Sequence, residues 1–554
     1  MHTTMPVGVD DFAKLREKYY LVDKTLFLCD FLKYHAEVTL FTRPRRFGKT
    51  LTMSMLRYFL DIDHAAENRK LFVDLQVADD VETMALQGTR PILFFSLRGC
   101  KALDWQAMRG LIGKNLQGLV QQYRFLLTSE HVDAADRVSL QALYEARADD
   151  ATLKNALVIF LRMLAAHYGR QPVLLLDEYD VPVQSAWESG YYAEAIDFFR
   201  VFYTTALKTN QYLDFAVLTG VMRIAKESIF SDLNNLDVDS VLSPKFPEAF
   251  GFTSEEVKKL AEDIGCAAKL PEVRAWYDGY RFAGKEIYNP WSVIKYFDRH
   301  CVPDTYWVNT SGNAILAELM KSTDREHFEH VEDLMQGRTV QGFLREGVIY
   351  SDIGEDQDAL YTMLCTTGYL TVAHAERVAG EMEYMLCLPN REMQTLFGIE
   401  IVKRYQKGFG KSPLVALMRA MLQGDAIHVQ LGLADYLEKM ASTFDTTKGK
   451  ESFYHGFVLG MTAILVPDYD VRSNRESGYG RYDLAAIPLE KQHPGFVLEF
   501  KVATNEGALE SKAREALQQI DERDYDNEFH AQGIEKVWHY GIAFYGKQVQ
   551  VLKA

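Results

Sequence analysis

An apolar stretch, Val38–Thr42, runs into Arg43-Pro44-Arg45-Arg46-Phe47-Gly48-Lys49-Thr50, and a helix-forming stretch to about Leu60 follows. A buried strand, a tight loop and a Gly-Lys-Thr that opens a helix are the context a phosphate-binding P-loop requires. Backbone N–H groups of such a loop and of the helix N-terminus point at an anion. Lys49 would then reach the β- and γ-phosphates, and the Thr50 hydroxyl a Mg²⁺ ion. The first glycine of G-x-x-x-x-G-K-T is Arg43 here. The pattern is therefore incomplete, and a basic loop paired with carboxylates is the competing reading.

Other segments supply the rest of such a site. Residues 172–176 (Pro-Val-Leu-Leu-Leu) form a continuous apolar run that suits a central parallel strand. It ends in Asp177-Glu178-Tyr179-Asp180. An Asp there can hold the Mg²⁺ shell, and the next Glu can position an attacking water. Residues 214–219 lead into Thr219-Gly220-Val221-Met222-Arg223, and residues 91–97 supply one more strand. Strands alternating with helices predict an α/β fold, a P-loop doubly wound parallel sheet, with its ligand site at the carboxyl ends of the strands. Arg223 reads equally as a sensor of the γ-phosphate and as an ion-pair partner of Asp180 or Glu178. Asp23 and Lys24 read as a helix start.

Near the other end, Gly480-Arg481-Tyr482-Asp483 and Phe496-Val497-Leu498-Glu499-Phe500-Lys501 read as two strands joined by a turn. Alternation puts Val497, Glu499 and Lys501 on one face and Phe496, Leu498 and Phe500 on the other. A carboxylate and an ammonium in an apolar strand are costly unless something uses them. The plain reading is an edge strand with a surface Glu–Lys pair. With Asp483 alongside, two carboxylates offer hard oxygen ligands to a divalent cation. Lys501 can then act on a water or on charge developing at phosphorus. These are expected to be exposed strand-face positions. A helix-period segment, 507–520, follows with Leu509, Ala513, Leu517 and Ile520 on one face, and carries Gln518 and Gln519. Upstream, Glu451 opens an apolar, helix-forming segment that runs to Leu465.

The 48% apolar content supports real cores. The formal charge of -16 argues against a broad nucleic-acid-coating surface, though not against a local basic groove. Six scattered cysteines with no C-x-x-C pair suggest reduced core residues in a cytosolic protein. No signal peptide or membrane span is visible. Residues 246–440 read as mostly helical, with a capping box at Thr253–Glu256 and an N-cap at Asn289-Pro290. Trp276, Tyr277, Tyr280, Tyr288 and Trp291 are read as packing residues rather than base-stacking ones. Glu326, His327 and His330 fit a solvated helix face better than a metal site.

The first set of motifs resembles the AAA-ATPase-like family over about residues 5–310, where Arg-Pro-Arg-Arg-Phe-Gly-Lys-Thr itself stands in for the P-loop. Tyr19-Tyr20, Asn234-Asn235, Phe250-Gly251-Phe252-Thr253, Trp276-Tyr277-Asp278-Gly279-Tyr280 and Tyr288-Asn289-Pro290-Trp291-Ser292 share in it, as does the stretch Ile229-Phe230-Ser231. The order helix–strand–strand–helix–strand with Asp, E-x-K and a later Gln resembles the PD-(D/E)xK nuclease superfamily over about residues 440–554. The small version that ends this same ATPase-like family is the nearest pattern.

The resemblance implies ATP held by Arg45, Arg46, Phe47, Gly48, Lys49, Thr50 and Asp177, with Mg²⁺ on Thr50 and Asp177. Glu178 and Arg223 would act in hydrolysis. In the nuclease part Asp483 and Glu499 would hold Mg²⁺ or Mn²⁺, Lys501 would act on water or charge, and Glu451 and Gln519 would assist. The expected partner is nucleic acid, DNA or RNA, with no membrane association, and an oligomer is compatible. The whole reads as a cytoplasmic prokaryotic hydrolase. A P-loop domain (1–245) gates a C-terminal α/β phosphodiesterase (441–554) through a mostly helical middle (246–440). The alternative is a nucleotide-dependent interaction switch whose C-terminal domain binds nucleic acid without cleaving it. A second alternative is a nuclease whose altered loop only scaffolds.

Overall fold

The computed structural model describes residues 3–223, 230, 233–307, 330–331, 333–345, 347, 356–405, 411–440, 454, 458, 460–465, 468–477 and 480–554. Glu451, Glu326 and His327 lie outside the described residues, as do Ile229, Ser231 and the stretch 442–450. The chain forms two compact units, Met1–Val302 with Gly342–Tyr384, and Pro303–Gln341 with Met385–Ala554. Residues 246–440 are shared between them.

The first unit is built on parallel strands β1 (Val38–Thr42), β2 (Ile92–Ser96), β3 (Val173–Asp177), β4 (Ala216–Gly220) and β5 (Leu236–Asp239), in the spatial order β2-β3-β4-β1-β5. Strands β1, β3 and β4 are buried along their whole length, as a parallel sheet covered on both faces demands. Helix α1 (Lys49–Leu60) follows β1 directly. The register sets Thr42 beside Gly220 and Ser96 beside Asp177, so the polar strand ends gather at one edge. Below them Phe27, Phe31, Phe41, Phe246 and Phe250 interlock with ring centroids 5.1–6.0 Å apart. Trp276, Tyr277, Tyr280 and Tyr288 are buried core residues. Both expected caps form. Thr253 and Glu256 make a reciprocal capping box. Asn289 caps helix α2 (Pro290–Asp298) by accepting from the N–H groups of Trp291 (3.0 Å) and Ser292 (3.3 Å).

The second unit carries a sheet in sequence order: β6 (Tyr469–Ser477), β7 (Gly480–Pro488), β8 (Gly495–Val502), β9 (Val537–Tyr545) and β10 (Gln548–Lys553). All neighbours are antiparallel except β8 and β9. Parallel neighbours need a crossover, supplied by helix α3 (Leu509–Arg523) and the short α4 (Asn527–Ala531). Helix α3 buries Leu509, Ala513, Ala516 and Ile520. On the other face, the Trp538 indole donates to Leu422 O (2.9 Å) and the Tyr540 hydroxyl to Met421 O (2.7 Å). Among the described residues no helix is long and apolar enough to cross a membrane. All the cysteines are free thiols.

At one point, Gly541, the crossover helix meets the backbone of β9 directly. Gly541 lies opposite Glu499 in register. A Cβ there would fall 2.2 Å from Ala513 O and 2.6 Å from Leu517 N. Those atoms belong to helix backbone and cannot swing aside. Gly541→Ala is therefore expected to destabilise the protein by about 1–3 kcal/mol, read as a lowered denaturant midpoint. An unchanged midpoint would contradict this contact.

Candidate active sites

In the first unit the loop between β1 and α1 is pinned by two buried side chains. Arg43 is fully buried. Its Nη1 donates to Thr42 O (3.0 Å) and Asp239 O (2.8 Å), and its Nη2 to Phe246 O (3.1 Å) and the Asp239 carboxylate. The guanidinium also lies 5.1 Å from the Phe250 ring and 5.4 Å from the Phe282 ring, favourable positions for a cation. The carboxylate pairing of the competing reading is thus taken up by Arg43. Phe47 is the second anchor, buried against Tyr280 (5.1 Å) and Phe282 (5.3 Å). The ring belongs to the core, which leaves the Phe47 backbone as the part that could face a phosphate, in keeping with a loop that cradles anions through its N–H groups.

Between the anchors, Arg45 donates to Gln184 Oε1 (2.8 Å), and the exposed Arg46 lies 4.2 Å from the Trp291 ring. Gly48 caps α1 with φ 87°, a conformation that glycine adopts without steric cost. Lys49 is buried, and its ammonium donates to Arg43 O and Pro44 O, both at 2.8 Å. Burial pulls its pKa down to about 8, opposed by Asp180, Glu178 and Asp177.

Asp177 is fully buried at the end of β3 and ringed by hydroxyl donors, Thr219 (2.7 Å), Thr50 (3.1 Å) and Ser96 (3.3 Å). Glu178 takes a left-handed backbone (φ 53°), with its carboxylate 3.5 Å from Arg98 Nε. Burial, then Asp177, raise its pKa. Asp180 is buried too. Its Oδ2 accepts from Val221 N (2.7 Å) and Met222 N (3.1 Å), while Oδ1 has no hydrogen-bond partner among the described residues. These bonds fix the turn into Arg223, which lines a small cavity of about 40 Å³ with Thr42, Ser240, Arg345 and Thr366. The fold thus brings Lys49, Thr50, Asp177 and Glu178 to one place, with Arg45 and Arg46 on the same loop. Sequence reasoning missed Ser96 and Arg98, which no motif marks. It read Asp180 only as an alternative ion-pair partner of Arg223, not as the residue whose carboxylate holds the Val221–Met222 turn.

In the second unit the β7–β8 ladder runs from Leu484↔Leu498 to Ala486↔Phe496. One step beyond, the Asp483 carboxylate accepts the Phe500 N–H at 2.6 Å. Glu499 is only 2% exposed. The expectation of an exposed face is corrected for Glu499, because α3 covers this side of β8 and β9. Glu499 Oε1 accepts from Lys501 Nζ at 3.0 Å, and Oε2 is buried with no hydrogen-bond partner among the described residues. Burial, and next the charge of Asp483, raise the Glu499 pKa to about 7, against the pull of Lys501. On α3, Gln519 donates to the Tyr525 hydroxyl at 3.3 Å, whereas Gln518 bonds Glu522 along the surface. Burial chiefly raises the Tyr525 pKa, and Glu499 and Asp483 lie close enough to add to that rise.

Among the described residues no group of three or more His, Cys, Asp or Glu is arranged to hold a metal ion. Mg²⁺ asks for less, since one or two carboxylates suffice when water and phosphate oxygens complete its octahedron. Asp483 and Glu499 fit that demand. They repel one another, one oxygen is buried and unsatisfied, and a cation between them would relieve both penalties.

A phosphate-loop α/β unit joined to a nuclease-type α/β unit is the class these two sites define. Residues 6–230 match the sequence model of a family described as "Predicted AAA-ATPase", and residues 449–554 that of the PD-(D/E)XK nuclease superfamily. The chain carries an AAA-ATPase-like domain and a PD-(D/E)XK nuclease superfamily domain. Over 554 residues it is 28% identical to a protein of Azotobacter chroococcum mcd 1 described as "Uncharacterized protein in vnfD 5'region". That alignment covers 98% of this chain and 96% of the relative.

The Glu499 carboxyl sets a pH dependence. Its folded-state pKa of about 7 lies above the ordinary 4.5. The folded state therefore holds the proton more tightly, and stability present below pH 4.5 is lost as pH rises through about 7. In chelator, the wild-type melting temperature should fall between about pH 5 and about pH 8 more steeply than that of Glu499→Gln. Added Mn²⁺ should restore it in the wild type only. Parallel curves for the two proteins would count against this account.

Proposed function

We propose that the protein is an ATP-binding, divalent-cation-dependent nuclease whose N-terminal domain controls a C-terminal phosphodiesterase. The observation that carries this reading is the Asp483–Glu499–Lys501 group. A buried carboxylate with one unsatisfied oxygen stands beside a second carboxylate and an ammonium. Asp483 and Glu499 would hold Mg²⁺ or Mn²⁺, which supplies Lewis-acid polarisation of a phosphodiester when bound. Lys501 stabilises the charge that develops on the phosphoryl oxygens and orients the attacking water. Gln519 assists from α3, and Glu451 from the segment before the sheet. The substrate is nucleic acid.

At the other site Lys49 and the backbone of Phe47 and Gly48 take the phosphates, with Arg45 and Arg46 beside them. Thr50 and Asp177 hold the nucleotide's Mg²⁺, Glu178 positions water, and Arg223 senses the γ-phosphate. Residues 1–245 form the nucleotide domain, 246–440 the transmitting segment and 441–554 the nuclease, acting in the cytoplasm.

Lys49→Ala should weaken ATP binding in calorimetry by about 1.5–3 kcal/mol, the scale of a charge-assisted hydrogen bond. Equal affinities would refute the loop assignment. Glu178→Gln should keep ATP and lose turnover by orders of magnitude; normal hydrolysis would move the role elsewhere. Asp483→Ala should lose Mn²⁺ binding together with cleavage, whereas Lys501→Ala should keep the metal and lose cleavage. The deciding assay offers single- and double-stranded DNA and RNA with Mg²⁺ or Mn²⁺, with and without ATP. A wild type that cleaves none of them overturns the nuclease reading.

A further inference from the structure

We infer that His539 is a positioning residue of the nuclease-type site, clamping the end of α3 so that Tyr525 and Gln519 stay beside the Asp483–Glu499 pair. The inference rests on the nuclease reading of that site. Helix α3 ends at Arg523, and Asp524 takes a left-handed conformation (φ 53°, ψ 50°). Asp tolerates this region better than most residues because its side chain can bond locally; here its carboxylate accepts from Asn527 Nδ2 at 2.8 Å, and the surroundings add to that hold. The reversal leaves Tyr525 only 1% exposed, edge-on to Tyr482 at 5.8 Å. Its hydroxyl accepts from Gln519, one and a half turns back on α3.

His539 grips this reversal from both sides. Nδ1 meets Asp521 Oδ1 at 3.1 Å, before the turn, and Nε2 meets Asp526 Oδ1 at 2.7 Å, just after Tyr525. Ionised carboxylates only accept, so the ring bonds both of them with a proton on each nitrogen. Burial lowers the His539 pKa, but Asp526 and Asp521 outweigh it and the net shift is upward. His539 belongs to β9, where it pairs with Val497, two residues before Glu499 on β8. The clamp therefore references the Tyr525 turn to the strand that carries the carboxylate. It is not what packs the domain. Ile520, Tyr525 and Phe529 share a buried cluster with Val497, and Asp521 is 59% exposed. Removing the imidazole should leave the fold and loosen the turn.

The test combines His539→Ala, Tyr525→Phe and the double variant in the full-length protein. In His539→Ala, amide hydrogen exchange should rise across residues 519–526 and stay unchanged along β8. The cleavage kcat should fall about 10- to 100-fold, the usual scale for groups that orient a metal-site shell, with KM for nucleic acid unchanged. Adding His539→Ala to Tyr525→Phe should cost no further kcat, because the clamp acts through Tyr525. Unchanged exchange over 519–526, an unchanged kcat, or fully additive losses would each overturn the inference while the wild type still cleaves. A wild type without cleavage overturns the nuclease reading instead, and the two failures are thereby distinguished.

Discussion

The buried ion pair between Arg43 and Asp239 sets the geometry on which the N-terminal site depends. A P-loop ordinarily begins with glycine so that the chain can turn closely around phosphate. Here the first position sends a guanidinium into the core, where it meets two carbonyls beyond its own strand end, a carboxylate and two aromatic rings. Breaking a buried pair of this kind by removing one partner costs about 3–5 kcal/mol. Backbone freedom is exchanged for a rigid anchor. Arg43 O and Pro44 O are held by that anchor, and they are the atoms that receive the Lys49 ammonium. The short strand β5 supplies Asp239, so a minor edge strand fixes where the loop's lysine sits.

Both sites share a second feature. In each, one carboxylate oxygen is satisfied by the protein and the other is buried without a partner among the described residues: Asp180 Oδ1 in the first unit, Glu499 Oε2 in the second. An unsatisfied buried acceptor costs about 1–3 kcal/mol. Packing alone does not account for either. Asp180 spends its other oxygen on the turn that leads to Arg223, and Glu499 shares its own with Lys501. Asp239 Oδ2 is left in the same state among the described residues, so the unmet oxygens gain meaning from the charges beside them, Lys49 near Asp180 and both Asp483 and Lys501 near Glu499.

The parallel sheet and the order of its motifs were legible because β1, β3 and β4 are short, mostly apolar runs without a charge before their carboxyl ends and the loop carries Gly48-Lys49-Thr50. Strand β5 was not, since Leu236-Asp237-Val238-Asp239 is short and half acidic, and its Asp239 matters only through a partner far away in sequence. Strand β6 is polar along most of its length and gave no alternation to read. Alternation correctly placed Glu499 and Lys501 on one face, but could not say what covers that face. That depends on Gly541, which admits the α3 backbone. Glycine and His539 carry no local pattern, so the close helix and the clamp on Asp521 and Asp526 emerge only in three dimensions. Of the glutamines, Gln519 rather than Gln518 turns inward because Ala516 and Ile520 set the buried stripe of α3.

The proposed sites pull on pH in opposite directions. Lys49, lowered to about 8, is fully charged only below that value. A phosphate favours the ammonium, so nucleotide affinity should weaken as pH rises past it. Glu499, raised to about 7, is ionised only above that value. A divalent cation favours the carboxylate, so metal affinity should strengthen as pH rises past it. Each ligand drives its partner group back toward the ordinary pKa, and part of the binding free energy is spent on that change. Burial is the leading cause of both shifts, so the opposite pH demands of the two groups follow from how deeply the fold encloses each.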